Sequence, residues 1–251
     1  SINNKIYFPN LNGIRFIAAF LVIIHHVEQI KDLLGMKSKW SNPVINLIGP
    51  LGVILFFVLS GFLITYLLLV EEKEMKVISI RSFYIRRVLR IWPLYYLIIG
   101  LSFLIIPQFT FLNLGSWTEE IYNNLFLKLL LFIFFLPNLA LVLFTPVAFA
   151  SQTWSVGVEE QFYLIWPVLI SKIKNKKRLL YAIVFGYLVL KLVGFKIIQE
   201  FLFWNNYMDY VKTFFDIFSI DCMSIGGLFA IYLFEKDKKI KLFFSKYTQI
   251  I

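Results

Sequence analysis

Charge is scarce in this chain of 251 residues, and cysteine and histidine are nearly absent. Only 16% of the residues are Asp, Glu, Lys or Arg, against about 25% in an ordinary soluble domain. Hydrophobic residues make up 59%, and the mean hydropathy is +0.76. That balance excludes a typical soluble domain and implies a polytopic membrane protein. The single cysteine, Cys222, excludes an internal disulfide and any multi-cysteine zinc or iron–sulfur site. The two histidines, His25 and His26, are adjacent, so on a helix they project about 100° apart. Helix-borne zinc sites use a same-face pair, so no metal is expected here. No G-x-S-x-G elbow, P-loop or G-x-G-x-x-G is present, and neither is a repeat, a low-complexity tract or a linker. One domain over residues 1–251 is the expectation.

What remains is apolar length. The charge-free runs 40–70, 91–118 and 129–158 each exceed the about 20 residues that cross a bilayer as a helix. Helices at about 11–30, 154–171 and 212–234 cross with charges inside them, and another runs at about 179–198. The reading is therefore an all-α transmembrane bundle of about seven spans. Pro137 and Pro146 interrupt the run 129–158, which predicts a kink or a re-entrant segment there. The formal charge of +10 lies in short clusters at 81–90, 172–178 and 236–246. Basic clusters between apolar runs follow the positive-inside pattern of membrane proteins, and no nucleic-acid partner is expected. The first two clusters share a membrane side only if residues 107–153 cross an even number of times, which charge alone does not decide.

Ionisable residues inside apolar helices are costly and usually face a bundle interior or a wet cavity. In the first helix, Arg15 and His26 are eleven residues apart, so they project in line and about 16 Å apart. Arg86, Arg87 and Arg90 sit at three- and four-residue spacings near the start of the third helix, where all can share one sector. Guanidinium forks bind phosphate bidentately; such clusters also fix topology and contact anionic lipid, which is their commoner use. Glu159 and Glu160 lie within or at the rim of the 154–171 helix, either balancing a histidine or arginine or resting at an interface. Asp221 precedes the small pair Gly226–Gly227 and reads as half of a structural ion pair, and Asp216 as interfacial. Leu59-Ser60-Gly61 reads as a small patch for helix packing.

Four segments in order resemble the acyltransferase-3 family of integral-membrane O-acyltransferases. They are Leu11-Asn-Gly-Ile-Arg15 with His26, the run Gly-Val-Ile-Leu-Phe-Phe-Val-Leu-Ser-Gly-Phe-Leu-Ile at 52–64, residues 83–93 with the Arg86-Arg87-x-x-Arg90 core, and residues 154–167 with Glu159 and Tyr163. The resemblance covers residues 11–167 and implies transfer of an acetyl or other short acyl group from acyl-coenzyme A to a hydroxyl of a cell-surface carbohydrate or lipid-linked glycan. Acetyl-coenzyme A would be a co-substrate, with no permanently bound cofactor. Arg15, Arg87 and Arg90 would bind the donor, and His26 would be the general base or carry the acetyl group. Glu159 would orient His26 or the acceptor, with Arg86, Glu160, Tyr163 and Asp221 in support. The implied location is the bacterial inner membrane, among its lipids. Two departures stand out: Asn12 where the family has Asp, and Ser219 where many members have Arg. The family domain has about ten helices, so a domain truncated at its C-terminus is expected. A proton- or ion-coupled transporter subunit and a non-catalytic scaffold are the competing readings.

Overall fold

The computed structural model describes residues 8–201 and 206–236; the basic cluster 236–246 lies outside them apart from Lys236. Its regular structure there is helical. The first helix, α1 (Pro9–Leu33), starts with proline at its first position, where a missing N–H costs nothing. It stops at a Schellman turn: Gly35 takes φ 67°, and the amides of Gly35 and Met36 bond the carbonyls of Asp32 and Lys31. The next helix, α2 (Pro43–Met75), is capped by the Asn42 side chain on the Val44 amide, with Pro43 at its first position. Its 33 residues exceed what a bilayer core requires, so its acidic end at Glu71–Glu74 emerges beyond the apolar zone.

Helix α2 is the hub of the bundle. The α1 helix packs antiparallel along one side of it, and α11 (Ile220–Phe234) packs along another. The α2–α11 crossing is a reciprocal small-residue contact. A Cβ on Gly61 would fall 2.0 Å from the Met223 carbonyl oxygen, and one on Gly226 would fall 2.0 Å from that of Val58. Backbones that close require glycine on both helices. Behind α11 stands α8 (Lys176–Val189), and α7 (Trp154–Lys172) fills the angle between α2 and α3 (Ile80–Gly100). Phe57, Ile64, Phe162, Trp166 and Met223 form the buried centre where these helices meet.

Among the described residues, five helical stretches are long and apolar enough to cross a membrane: Asn10–Leu33, Pro43–Met75, Ile80–Gln108, Lys176–Glu200 and Tyr207–Phe234. The run 129–158 is not a sixth. It breaks into two short helices, α5 (Leu125–Ile133) and α6 (Pro137–Leu143), following the one-turn α4 (Ser116–Glu119). Phe135 turns between them at φ 58°. Carbonyls at this break are bonded by side chains from neighbouring helices. Tyr95 Oη donates to Phe132 O at 2.7 Å, Tyr96 Oη to Ile133 O at 2.9 Å and Gln161 Nε2 to Phe135 O at 2.8 Å. Irregular backbone within a membrane protein needs such partners. The interruption expected at Pro137 falls at this break, with Pro137 at the first position of α6. The 154–171 helix is α7, nineteen residues long and carrying Glu159 and Glu160, so it falls outside the five.

The geometry also answers the sidedness question. Glu71 and Glu72, consecutive at the end of α2, pair with Arg86 of α3 at 3.5 Å and with Lys176 of α8 at 3.0 Å. The clusters 81–90 and 172–178 therefore share one side. The remaining chain runs through a π-turn at Leu190–Gly194, α9 (Phe195–Phe201) and α10 (Asn206–Phe218) into α11.

Candidate active site

Three helices bring their charges to one place. A cavity of about 240 Å³ is lined by Arg15 of α1, Phe56 and Ser60 of α2, Arg87 and Arg90 of α3, and Glu159 and Tyr163 of α7. On α2, Phe56, Ser60 and Leu63 recur at four and three residues, which makes a single stripe along the wall. Ser60 lies eleven residues from Glu71, so the cavity is about 16 Å in from the basic rim.

Glu159 anchors the interior. Ser60 Oγ donates to its Oε1 at 2.8 Å, and Tyr163 Oη, one turn further along α7, donates to its Oε2 at 2.6 Å. A buried carboxylate is tolerated where its lone pairs are taken and cations lie near; here Arg15 and Arg87 supply them. Arg87 threads between two rings, its guanidinium carbon 5.4 Å from the Phe83 ring centre and 5.2 Å from that of Tyr163. The buried Nε of Arg87 has no hydrogen-bond partner among the described residues. Three guanidiniums face one carboxylate, so the cavity carries an excess of positive charge and a spare buried donor. Such an arrangement can hold an anion.

The arginine triplet does not act as one sector. Arg87 and Arg90 face the cavity, whereas Arg86 is exposed and turns to Glu71. The two glutamates diverge as their 100° offset requires: Glu160 Oε2 accepts from Trp92 Nε1 at 3.1 Å, away from the cavity lining. Asp221 faces Lys191 at 3.9 Å, a lysine from the π-turn after α8 rather than an arginine. Asp216 pairs with Lys212 on its own helix at 2.6 Å.

The histidines lie further along α1. His25 is wedged against Gly49 of α2, where a Cβ would fall 2.4 Å from the ring, and its Nδ1 donates to Ile45 O at 2.8 Å. His26 Nδ1 lies 2.8 Å from Val22 O. A carbonyl only accepts, so that nitrogen carries the hydrogen and the neutral ring presents the Nε2 lone pair elsewhere. His26 is not among the residues lining the cavity. The eleven-residue step from Ser60 back to Gly49 on α2 mirrors that from Arg15 to His26 on α1, an axial distance of about 16 Å. Glu159 therefore has Ser60 and Tyr163 on its oxygens rather than His26.

Ser60 escaped the sequence reading, which assigned Leu59-Ser60-Gly61 to packing. Gly61 does pack, against α11, but Ser60 is rotated about 100° onto the stripe that faces the cavity. A hydroxyl at mid-depth in an otherwise apolar run, four residues from Phe56 and level with Glu159, is the available signal.

A helical membrane bundle with a buried, arginine-rich cavity is thus the class that fold and site define. The family model described as an acyltransferase domain matches residues 8–248, and the chain belongs to that acyltransferase family. It is 31% identical to the peptidoglycan O-acetyltransferase OatA of Listeria monocytogenes over 190 residues, which is 71% of this chain and 27% of that protein. It is also 31% identical over 164 residues to YrhL of Bacillus subtilis, a candidate peptidoglycan O-acetyltransferase, covering 65% of this chain and 24% of that one. A candidate O-acetyltransferase of Staphylococcus aureus strain COL is 29% identical over 174 residues, 65% of this chain and 25% of its own length. The chain spans about a quarter of the length of these relatives. No solved structure matches it significantly.

Proposed function

We propose that this chain transfers an acetyl or similar short acyl group from acyl-coenzyme A to a hydroxyl of a cell-envelope glycan. The convergence of Arg15, Arg87 and Arg90 on one cavity beside buried Glu159 carries the reading. Coenzyme A is polyanionic, and an interior site with surplus guanidinium charge suits its phosphates. The relatives' names motivate peptidoglycan as the acceptor.

In this reading the basic rim faces the cytoplasm, following the positive-inside rule, and the donor enters there. The arginines hold its phosphate end, and Glu159, pinned by Ser60 and Tyr163, fixes their positions. The pantetheine arm extends along α1 toward His26, a step of about 16 Å. His26 Nε2 takes the proton of the acceptor hydroxyl as its oxygen attacks the thioester carbonyl. The carbon–sulfur bond breaks, and the leaving thiolate receives that proton from the imidazolium, giving the O-acyl glycan and free coenzyme A.

The test is acetyl transfer from labelled acetyl-coenzyme A to glycan by membranes carrying the natural gene product. Label should reach the glycan in the wild type and not in His26→Ala. Proton or ion flux without any dependence on acetyl-coenzyme A would replace this reading with that of a transporter.

A further inference from the structure

A second cavity lies at the basic rim, outside the site above. It measures about 430 Å³ and opens where the ends of α2, α8 and α11 meet. Leu69, Ile231 and Phe234 form an apolar floor, and Lys174, Lys176 and Lys177 stand around it with one carboxylate, Glu235, among them. Leu69 is nine residues beyond Ser60 on α2, which places it about 13 Å nearer the rim and half a turn round the helix. The two cavities thus open on opposite faces of α2.

The lysines are not equivalent. Lys176 pairs with Glu72 at 3.0 Å and Lys177 with Glu235 at 2.5 Å. Lys174 is exposed and has no acidic partner among the described residues. Lys73 stands 5.6 Å over the Phe234 ring and adds another cation above the floor. An apolar floor beneath an unneutralised ammonium, at the height where helices leave the bilayer, matches one ligand chemistry. It suits a phosphate diester whose acyl chains stay in the membrane. A free phosphate would gain nothing from Leu69, Ile231 and Phe234, and a zwitterionic lipid carries its own ammonium, which offsets the attraction of its phosphate to Lys174.

We propose that this cavity binds the headgroup of an anionic phospholipid, with Lys174 as its main charge contact. The site is independent of the acyl-transfer reading and stands or falls without it. The purified chain would be reconstituted in phosphatidylcholine nanodiscs with and without phosphatidylglycerol, and retained lipids counted by native mass spectrometry. Preferential retention of phosphatidylglycerol is expected, falling about fivefold in Lys174→Ala and more in Lys174→Glu. Lys37→Glu, on the connection between α1 and α2 at the opposite end of the bundle, should change nothing. In the wild type, a photoactivatable phosphatidylglycerol should label peptides containing residues 174–177 or 231–235, which keeps the test open if a variant misfolds. Equal retention of both lipids, equal loss in Lys37→Glu, labelling elsewhere, or displacement by millimolar inorganic phosphate would each overturn the proposal.

Discussion

Ser60 and Gly61 are neighbours on α2, yet their alanine variants should fail in different ways. A Cβ on Gly61 would sit 2.0 Å from the Met223 carbonyl oxygen, 2.6 Å from its carbonyl carbon and 2.8 Å from its Cα. All three are backbone atoms, so no rotamer change relieves the clash. An ordinary contact needs about 3.4 Å, so α11 must retreat by more than an ångström along its longest interface. Overpacking a tight core costs about 1–3 kcal/mol, and here the reciprocal Gly226–Val58 contact opens as well, so the cost should reach the top of that range. Gly61→Ala should therefore lower the melting temperature in detergent by several degrees and reduce yield in membranes. Ser60→Ala meets no clash. It removes the hydroxyl that donates to Glu159 Oε1 at 2.8 Å. A hydrogen bond to a charged group is worth about 1.5–3 kcal/mol, or roughly ten- to a hundredfold in any rate that depends on Glu159 staying in position. Paired thermal melts and acetyl-transfer rates separate the two. An unchanged melt for Gly61→Ala would refute the close helix approach, and unchanged transfer in Ser60→Ala would remove that serine from the site.

Arg87→Lys and Arg90→Lys each keep the charge but lose the planar fork, so the apparent KM for acetyl-coenzyme A should rise about tenfold; an unchanged KM in the double variant would end the donor-binding role. His26→Ala should lower the rate at least about a hundredfold, whereas His25→Ala should mainly lower the melting temperature by releasing the Ile45 carbonyl; the reverse pattern would mean the catalytic histidine is misassigned. Tyr95→Phe removes the 2.7 Å hydrogen bond to the Phe132 carbonyl, which keeps only the Phe135 amide at 3.2 Å, so the loss should be about 0.5–1.5 kcal/mol and should appear as faster proteolysis of the segment 125–143. Equal protease sensitivity would show that the tyrosine hydroxyl does not hold this break together.

The helices were legible because composition and length fix them: an apolar run of twenty or more residues has few alternatives to a membrane helix. Their number was less legible. Residues 129–158 are as apolar as any span, and only Pro137 and Pro146 mark the break. What makes the break tolerable is tertiary, since the hydroxyls of Tyr95 and Tyr96 and the amide of Gln161 come from α3 and α7. Sidedness was hidden for the same reason. The Glu71–Arg86 and Glu72–Lys176 pairs decide it, and the latter joins positions 104 residues apart.

The site divides along the same line. Spacing on one helix was readable: Arg15 and His26 in register, Glu159 and Glu160 turned apart, and Arg87 and Arg90 three residues from each other. Partnership across helices was not. Nothing in the run Arg86-Arg87-Val-Leu-Arg90 says that the first arginine leaves for Glu71 while the other two turn inward, because that choice depends on where α2 ends. Ser60 shows the converse error. Its neighbours Leu59 and Gly61 are buried in the packing that the sequence suggested, and a triplet read as one patch concealed that a helix presents three consecutive residues to three directions. Polar residues in apolar helices are therefore best read singly, by the face and depth each occupies. On that criterion Ser60, at the depth of Glu159 and on the stripe with Phe56, belongs with Arg15 and Arg87 rather than with the glycine beside it.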